Sequence, residues 1–430
     1  MMLQFTRQTL PNGARVIYAA IPGLHSAMAV VYLRMGPRFE SPDENGISHF
    51  AEHVLFKGTA AYPDPEALAR AMDACGAELN GATMPEYTEL VAASHTKNFT
   101  RALHLLTQVA LHPIFDPQHV ETERQVVLEE MGQSRDVPGD GVTVDELVHE
   151  TMWPGQAHQF QSLGSERNIR CITPDRLKRH YQRFLRGSNI VISVAGNFPQ
   201  DEIAALIADT FGRLEAGQPL SGPALRDGQS EPRHRFLRGP GRMLYLRLCH
   251  KAYSYSDPRS YALVILSEAL GAGVTSRLFS RLRERDGLVY DIYAATSFFR
   301  DCGWLEIGTT TSRRNVAPAV QAILEEARKI ADEGIPGEQL DTIKEKIACN
   351  LDMLQDSPAD LAEWMGTREL LLAPDEIITP ESEASRLAQV TTSAVRQAAR
   401  EVFRPQRRTL VVVGPCPWSR RRQIRRLLAI

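Results

Sequence analysis

The chain has 430 residues, of which 43% are hydrophobic and 23% charged, and its formal net charge is −3. This length exceeds one ordinary hydrophobic core and predicts two or more domains of globular composition. A nearly neutral charge excludes the strongly basic character of a nucleic-acid-binding protein. We interpret one basic cluster as a solvated helix face, with a partner-binding patch as the alternative: Arg420, Arg421, Arg422, Arg425 and Arg426.

The cysteines and the start of the chain indicate the compartment. Six cysteines are scattered without a C-x-x-C pair, which argues against a disulfide framework or a cysteine zinc site. The first residues resemble neither a signal peptide nor a transit peptide. No stretch approaches the roughly 18 apolar residues that a membrane-spanning helix needs. We therefore predict a cytoplasmic protein without a membrane span.

The predicted elements follow the same order twice. In the first half, strands precede helices at 46–57 and 65–75, and strands return over 77–93. Helices then occupy 97–111 and the segment from 116, and a helix at 174–184 leads to a strand at 189–195. The second half has a strand at 243–250, helices at 260–270 and 276–285, strands at 288–298 and 304–311, a helix at 316–333, and a final helix and strand at 395–403 and 409–413.

This repetition predicts the domain organisation. Residues 215–233 are rich in glycine and proline, which is typical of a linker. We predict an α+β fold with two homologous domains, 1–214 and 234–430, each a mostly antiparallel sheet packed with helices.

A short histidine motif is the strongest functional signal. His49 and His53 are four residues apart, so a helix places both imidazoles on one face, where they can share one Zn²⁺. Glu52 lies close to that face and can reach a metal-bound water without being a ligand. The H-x-x-E-H order is the inverse of the commoner H-E-x-x-H zinc motif. A helix with two hydrogen-bonded structural histidines is the alternative.

A catalytic zinc ion usually has a third protein ligand and leaves the fourth position to water. The helix that follows Asp116 offers four glutamates, among which spacing alone does not choose: Glu121, Glu123, Glu129 and Glu130.

Together these segments resemble the pitrilysin/insulinase family of inverzincin metallopeptidases, particularly its short two-domain members related to mitochondrial processing peptidase. Residues 46–59 look like the family's zinc helix, and residues 123–130 look like its second metal helix. The resemblance implies one Zn²⁺ per chain with Glu130 as the third ligand and Glu129 as a fallback. It also implies that Glu123 orients a ligand or the water.

Residues 77–88 resemble the family's edge strand, which binds substrate as an added β-strand. The implied substrate-binding residues are Asn80, Gly81, Ala82 and Thr83. The family pattern has phenylalanine where this chain has Ala82. We predict a larger pocket just after the scissile bond, which tolerates a bulky residue, with a neutral repacking as the alternative.

In the second half, residues 283–290 resemble the family's arginine–tyrosine motif. The resemblance implies that Arg283 binds substrate backbone and that Tyr290 helps to hold the oxyanion. Arg285 is a nearby alternative to Arg283. A two-domain chain corresponds to half of the family's clamshell, which implies a homodimer or a heterodimer with a related chain.

The resemblance predicts a zinc-dependent endopeptidase that hydrolyses peptides or unstructured precursor segments inside a closed chamber, with Glu52 activating the water. One alternative is a non-catalytic subunit of a heterodimer or larger assembly. Another is a dedicated leader peptidase in the maturation of a peptide-derived cofactor.

Overall fold

The computed structural model describes residues 3–133, 143–239, 241–372, 375 and 377–429. The chain divides into two compact units. Unit 1 comprises Met1–Gln133, Phe160–Pro223 and Asp352–Pro380, and unit 2 comprises Ser134–Gln159, Ala224–Leu351 and Glu381–Ile430. Within the described ranges, no helix is both long and apolar enough to cross a membrane.

The elements of the first half are, in chain order, β1 (Gln4–Thr9), β2 (Arg15–Ala20), β3 (Ser26–Leu33), α1 (Ile47–Leu55), α2 (Pro65–Asp73), β4 (Ala77–Thr83), β5 (Thr88–His95), α3 (Phe99–Leu111), α4 (Pro117–Gln133), α5 (Val144–Met152), α6 (Glu166–Cys171), α7 (Pro174–Phe184), β6 (Ile190–Gly196) and α8 (Gln200–Thr210).

The elements of the second half are β7 (Arg233–Leu237), β8 (Met243–Ala252), α9 (Ser260–Gly271), β9 (Val289–Phe298), β10 (Gly303–Ser312), α10 (Val316–Glu333), α11 (Gly337–Leu354), α12 (Pro358–Leu372), α13 (Pro380–Ala388), α14 (Thr392–Val402), β11 (Arg408–Val413) and α15 (Trp418–Leu428). A π-helical segment, Phe279–Arg285, precedes β9.

The sheet of unit 1 is apolar on both faces. Its strand order is β1-β2-β6-β3-β5-β4, and all neighbours are antiparallel except β2 and β6. Along β3, Ala29 and Val31 point to a core built with α3, α7 and α8, while Val30 and Tyr32 point to a core completed by α12. This alternation is the period-two pattern of a strand with two buried faces. The β4 strand lies at the edge of the sheet.

Unit 2 repeats this architecture. Its order, β7-β11-β8-β10-β9, corresponds to β2-β6-β3-β5-β4 of unit 1, and again only the first pair is parallel. Helix α5 packs on one face, where Val148 and Met152 meet residues of β8, β10 and β11. Helices α9, α10 and α14 pack against the strands as well. The prediction of two similar α+β domains with mostly antiparallel sheets is therefore confirmed.

Each unit also takes a helix from the other half of the chain. Helix α5, which lies before the predicted linker, belongs to unit 2, and helix α12, which lies after it, belongs to unit 1. In these segments, the compact units do not follow the sequential ranges 1–214 and 234–430. The predicted domain boundaries remain a prediction. A sheet with two apolar faces needs a cover on each face, and helical periodicity does not indicate which sheet a helix covers.

Two smaller features are the state of the cysteines and the turn after β4. All six cysteines lie in the described residues as free thiols. Strand β4 ends at Thr83, so Pro85 lies in the turn to β5 and removes no donor from the ladder.

A buried histidine in unit 2 predicts acid sensitivity. His250 in β8 packs edge-on against Phe403 at 5.0 Å, and neither ring nitrogen has a hydrogen-bond partner in the described part of the chain. Burial, assisted by the charge of Arg408, lowers the pKa of His250 to about 3. An unfolded histidine has a pKa near 6.5. As the pH falls from about 6.5 towards 3, only the unfolded state binds this proton, so the free energy of unfolding falls.

Replacing His250 by leucine should reduce the slope of unfolding free energy against pH in this window by up to about 1.4 kcal/mol per pH unit. Urea denaturation between pH 4 and 7, with a chelator present, measures this slope. The His104→Gln variant, at an exposed position on α3, controls for the loss of a solvated histidine. An unchanged slope in His250→Leu would contradict the assignment of this acid sensitivity to His250.

Candidate metal and catalytic site

Helix α1 carries the histidine motif, and its start is fixed by a buried carboxylate. The two oxygens of Glu40 accept hydrogen bonds from the backbone N–H groups of Gly46, at 2.8 Å, and Ser48, at 2.9 Å. Burial raises the pKa of Glu40, and the bonds from Ser48, Asn45 and Gly46 oppose that rise. Gly46 has φ of 101°, and a Cβ there would lie 2.8 Å from the Leu163 carbonyl oxygen. Only glycine fits this entry into α1 without strain.

An apolar contact places α4 beside α1. Phe50 and Val54 of α1 share a buried cluster with Val120 and Val127 of α4. The histidines lie on the neighbouring face of α1, so the same contact brings the glutamates of α4 towards them.

Glu130 is the glutamate that meets both histidines. Its Oε2 atom lies 3.4 Å from His53 Nε2 and 3.8 Å from His49 Nε2, and the two imidazole centroids are 4.6 Å apart. The fallback, Glu129, is exposed. Glu121 is also exposed and pairs with Arg124 at 2.8 Å. Among the four glutamates, the structure thus brings Glu130 and Glu123 to the motif.

Glu123 contacts the other ring nitrogen of His53, Nδ1. Its Oε2 lies 3.3 Å from His53 Nδ1, and its Oε1 lies 2.9 Å from Lys57 Nζ. Burial alone would raise the pKa of Glu123, but His53 and Lys57 lower it. The ionised carboxylate can only accept hydrogen bonds, so His53 Nδ1 donates. In the neutral ring, Nε2 then keeps its lone pair, which is the form that binds a metal.

The charges around the two imidazoles suit a divalent cation. Burial, followed by the charge of His53, lowers the pKa of His49 to about 3, so this ring is neutral at physiological pH. Burial also lowers the pKa of His53, but Glu123, Glu52 and Glu130 outweigh it and raise that pKa. Two imidazole donors therefore lie among three carboxylates. This donor set fits Zn²⁺, which binds imidazole nitrogen and carboxylate oxygen.

Glu52 lies beside the two histidines. One oxygen of Glu52 and one nitrogen each of His49 and His53 all lie within 4.8 Å of one another. Thr83 Oγ1 donates to Glu52 Oε2 at 3.4 Å. Burial raises the pKa of Glu52, although His53 and Thr83 oppose the rise. The result is a buried carboxylate of increased basicity beside the two imidazoles.

The edge strand β4 borders this cluster. A cavity of about 680 Å³ contains the two histidines and Glu52, and the predicted substrate residues line it: Asn80, Gly81, Ala82 and Thr83. Strand β4 pairs with β5, and the described residues supply no strand on its other side. A Cβ at Gly81 would lie 2.8 Å from Glu52 Oε1, so glycine keeps the strand close to that carboxylate. An extended peptide has an open edge to pair with.

The arginine–tyrosine pair lies in unit 2. Arg283, in the π-helical segment, places its guanidinium carbon 5.6 Å from the ring centroid of Tyr290, at the start of β9. Tyr290 is 76% exposed. Arg285 instead pairs with Asp286 at 3.0 Å. The structure brings Arg283 and Tyr290 together, and their approach to the histidines of unit 1 stays a prediction.

Two positioning residues were missed in the sequence. Lys57 pairs with Glu123, and its position four residues after His53 was an available signal for a shared helix face. Glu40, which caps α1, is six residues before Gly46, and no local pattern identifies it.

Comparisons with known proteins show which family the chain is similar to. Residues 15–164 match the family described as insulinase, peptidase family M16, and residues 172–347 match the peptidase M16 inactive domain. An uncharacterized zinc protease of Bacillus subtilis is 30% identical over 401 residues, covering 92% of this chain and 95% of the relative. An uncharacterized zinc protease of Streptomyces coelicolor is 29% identical over 418 residues, covering 95% and 89% respectively.

Solved structures share the fold. A protease from Helicobacter pylori has a TM-score of 0.88 at 20% identity, covering 96% of this chain and all of that one. A peptidase M16 inactive domain from Pseudomonas fluorescens has a TM-score of 0.87 at 19% identity, covering 96% and 99%. Together with the matches along nearly the full length of the zinc protease relatives, these findings show that the chain belongs to the insulinase family of peptidases, family M16, in its short two-domain form.

Proposed function

We propose that the protein is a zinc-dependent endopeptidase that hydrolyses peptides or unstructured precursor segments. The observation that carries the proposal is the convergence of Glu130 on His49 and His53, with Glu52 beside them in a cavity that opens along an edge strand. His49, His53 and Glu130 would hold Zn²⁺, which supplies Lewis acidity and lowers the pKa of water. Membership in a peptidase family supports this choice of chemistry.

Glu52 is the proposed general base and acid. A carboxylate whose pKa is raised by burial can take a proton from the attacking water and return it to the leaving amine. The Thr83 hydroxyl and the close approach of Gly81 restrict where the Glu52 carboxylate can lie. Glu123 and Lys57 act indirectly, because they orient the ring of His53.

Strand β4 is the proposed platform for the substrate backbone. An added peptide strand would pair with the open edge and place one of its carbonyl groups over the cluster. This mode of binding requires an extended segment, so folded proteins should be poor substrates. In unit 2, Arg283 and the exposed Tyr290 would bind substrate backbone and the developing oxyanion in a closed chamber.

The roles proposed for Arg283 and Tyr290 require a dimer, because the family resemblance implies that one chain forms only half of a clamshell. The partner is a second copy or a related chain. A second candidate function is a non-catalytic subunit, with which the match of residues 172–347 to a peptidase M16 inactive domain is compatible.

The proposal predicts metal-dependent cleavage. Purified protein incubated with unstructured peptides should produce internal cuts, read by mass spectrometry, that disappear with a chelator and return with Zn²⁺. Glu52→Gln should keep its zinc and lose about 10²–10⁴-fold in rate, as expected on losing a general base. Cleavage that persists in Glu52→Gln would contradict the role of Glu52. Zinc binding without cleavage of any peptide would favour the non-catalytic subunit.

The same products test the pocket that Ala82 is expected to enlarge. Bulky residues just after the cut should be accepted readily, because the cavity wall carries only a methyl group at this position. Much slower cleavage before phenylalanine than before glycine would contradict this hypothesis.

The adjacent glutamates of α4 provide a matched test of the third ligand. Glu130→Gln should weaken zinc binding by at least tenfold, because it removes a charged ligand from between the two imidazoles. Glu129→Gln removes the same charge at an exposed position and should bind zinc like the unmodified chain. Competition with a chromogenic chelator measures both affinities. A larger loss in Glu129→Gln would reverse the assignment.

A single methyl group tests the position of Glu52. Gly81→Ala should lower the rate of peptide hydrolysis by about tenfold or more while leaving zinc content unchanged, because the new Cβ displaces the Glu52 carboxylate. Gly132→Ala is the control, since a Cβ there meets nothing within 4 Å. Equal kcat/KM values for the two variants would contradict the proposed contact.

A further inference from the structure

A second group of metal-binding side chains lies in unit 2, on two neighbouring turns. His158 belongs to the 3₁₀ turn Ala157–Gln159, which follows α5, and Asp301 and Cys302 lie in the turn between β9 and β10. One imidazole nitrogen, one carboxylate oxygen and the sulfur lie within 4.8 Å of one another. Three different ligand types thus meet at residues that are distant in sequence.

His158 is a buried member of the group, and one of its ring nitrogens lacks a hydrogen bond as far as the structure describes the chain. The residue is 7% exposed, and its Nε2 atom has no hydrogen-bond partner among the described residues. Asp301 Oδ1 is 3.4 Å away, which is within ion-pair distance but does not make a hydrogen bond. A buried polar nitrogen without a partner is costly and is usually explained by a ligand, ion or water.

The surroundings hold this imidazole in place. The ring lies beside Trp153, at 5.7 Å, and Phe299, at 6.0 Å. The carbonyl oxygen of His158 accepts a hydrogen bond from His149 Nδ1 at 2.9 Å. The opposite turn is closed by the Phe299 N–H, which donates to the Cys302 carbonyl at 2.8 Å. Two constrained turns therefore present the three side chains to one another.

The charge balance permits a cation. Asp301 is exposed and Cys302 is buried, so the group is open to solvent on the carboxylate side. Lys251 interacts electrostatically with Cys302, and its ammonium lies 2.6 Å from Asp227 and 3.9 Å from the Trp153 ring centroid. Asp227 thus balances the charge of Lys251.

We propose that His158 Nε2, the Asp301 carboxylate and the Cys302 thiolate form a second Zn²⁺ site. Zinc bond lengths of roughly 2.0–2.3 Å place tetrahedral ligands about 3.3–3.8 Å apart, so small side-chain rotations complete the site. Binding releases the thiol proton of Cys302 to solvent. The site would link the turn after α5 to the β9–β10 hairpin. It is separate from the His49–His53 cluster and does not rest on the proposed peptidase activity.

Cobalt(II) is the probe, because a thiolate ligand gives it a charge-transfer absorption that imidazole and carboxylate ligands do not. The full-length chain, freed of metal, should bind two Co²⁺ and show this absorption. Cys302→Ser should bind one Co²⁺ and lose the absorption, whereas Cys349→Ser, which changes an exposed cysteine, should behave like the unmodified chain. Asp301→Asn should weaken binding at this site at least tenfold while keeping the fold, as checked by circular dichroism.

The double variant His49→Ala/His53→Ala separates the two sites. It should keep one Co²⁺ and the full thiolate absorption, even if the first site and its peptidase activity are absent. Absence of thiolate absorption from the unmodified chain would overturn the second site. The same conclusion follows if the absorption survives Cys302→Ser or disappears in Cys349→Ser. Failure of the first site alone would appear as one Co²⁺ in the unmodified chain, with the absorption present.

Discussion

The apolar contact between α1 and α4 is the constraint on which the candidate active site depends. Each helix supplies only part of the candidate metal-binding group, and the two parts meet where Phe50 and Val54 pack against Val120 and Val127. Burial of these four side chains is worth roughly 1.5–3 kcal/mol each, which together offsets the electrostatic cost of bringing Glu130 close to another acid, roughly 4 kcal/mol for like charges about 4 Å apart near a protein surface. The hydrophobic contact therefore holds the carboxylates in place.

Charges next to the candidate site and burial then determine the protonation state of each candidate ligand. Lys57 and His53 keep Glu123 ionised, and the ionised Glu123 selects the His53 tautomer whose Nε2 faces Glu130. Burial keeps His49 neutral and makes Glu52 a stronger base. The same low-polarity environment therefore lowers the pKa of one residue and raises the pKa of another, as the proposed roles of metal ligand and proton acceptor require.

The duplicated fold supplies two sheets whose edge strands carry different side chains. In unit 1, the edge strand β4 lies beside the histidine helix and carries the cavity wall. In unit 2, the corresponding edge strand β9 begins beside Arg283 and carries Tyr290. The exchange of α5 and α12 covers the second face of each sheet with a helix from the other half of the chain. Each half of the sequence thereby contributes to the core of both units.

The sequence by itself determined the local part of this arrangement. A spacing of four places His49 and His53 on one helical face, and alternation of apolar residues defines the strands, because both depend only on backbone periodicity. The order of the elements likewise determined the α+β class and the internal repeat. Periodicity also places Glu123 and Glu130, seven residues apart, on a common face of α4. The rotation of that face towards α1 depends on packing between residues about 70 positions apart, which only the tertiary structure decided. The tertiary structure also decided that Glu40, only six residues before Gly46, caps α1, because no periodic pattern marks this contact. Contacts between distant segments decided that α5 covers the sheet of unit 2, that α12 covers the sheet of unit 1, and that His158 meets Cys302.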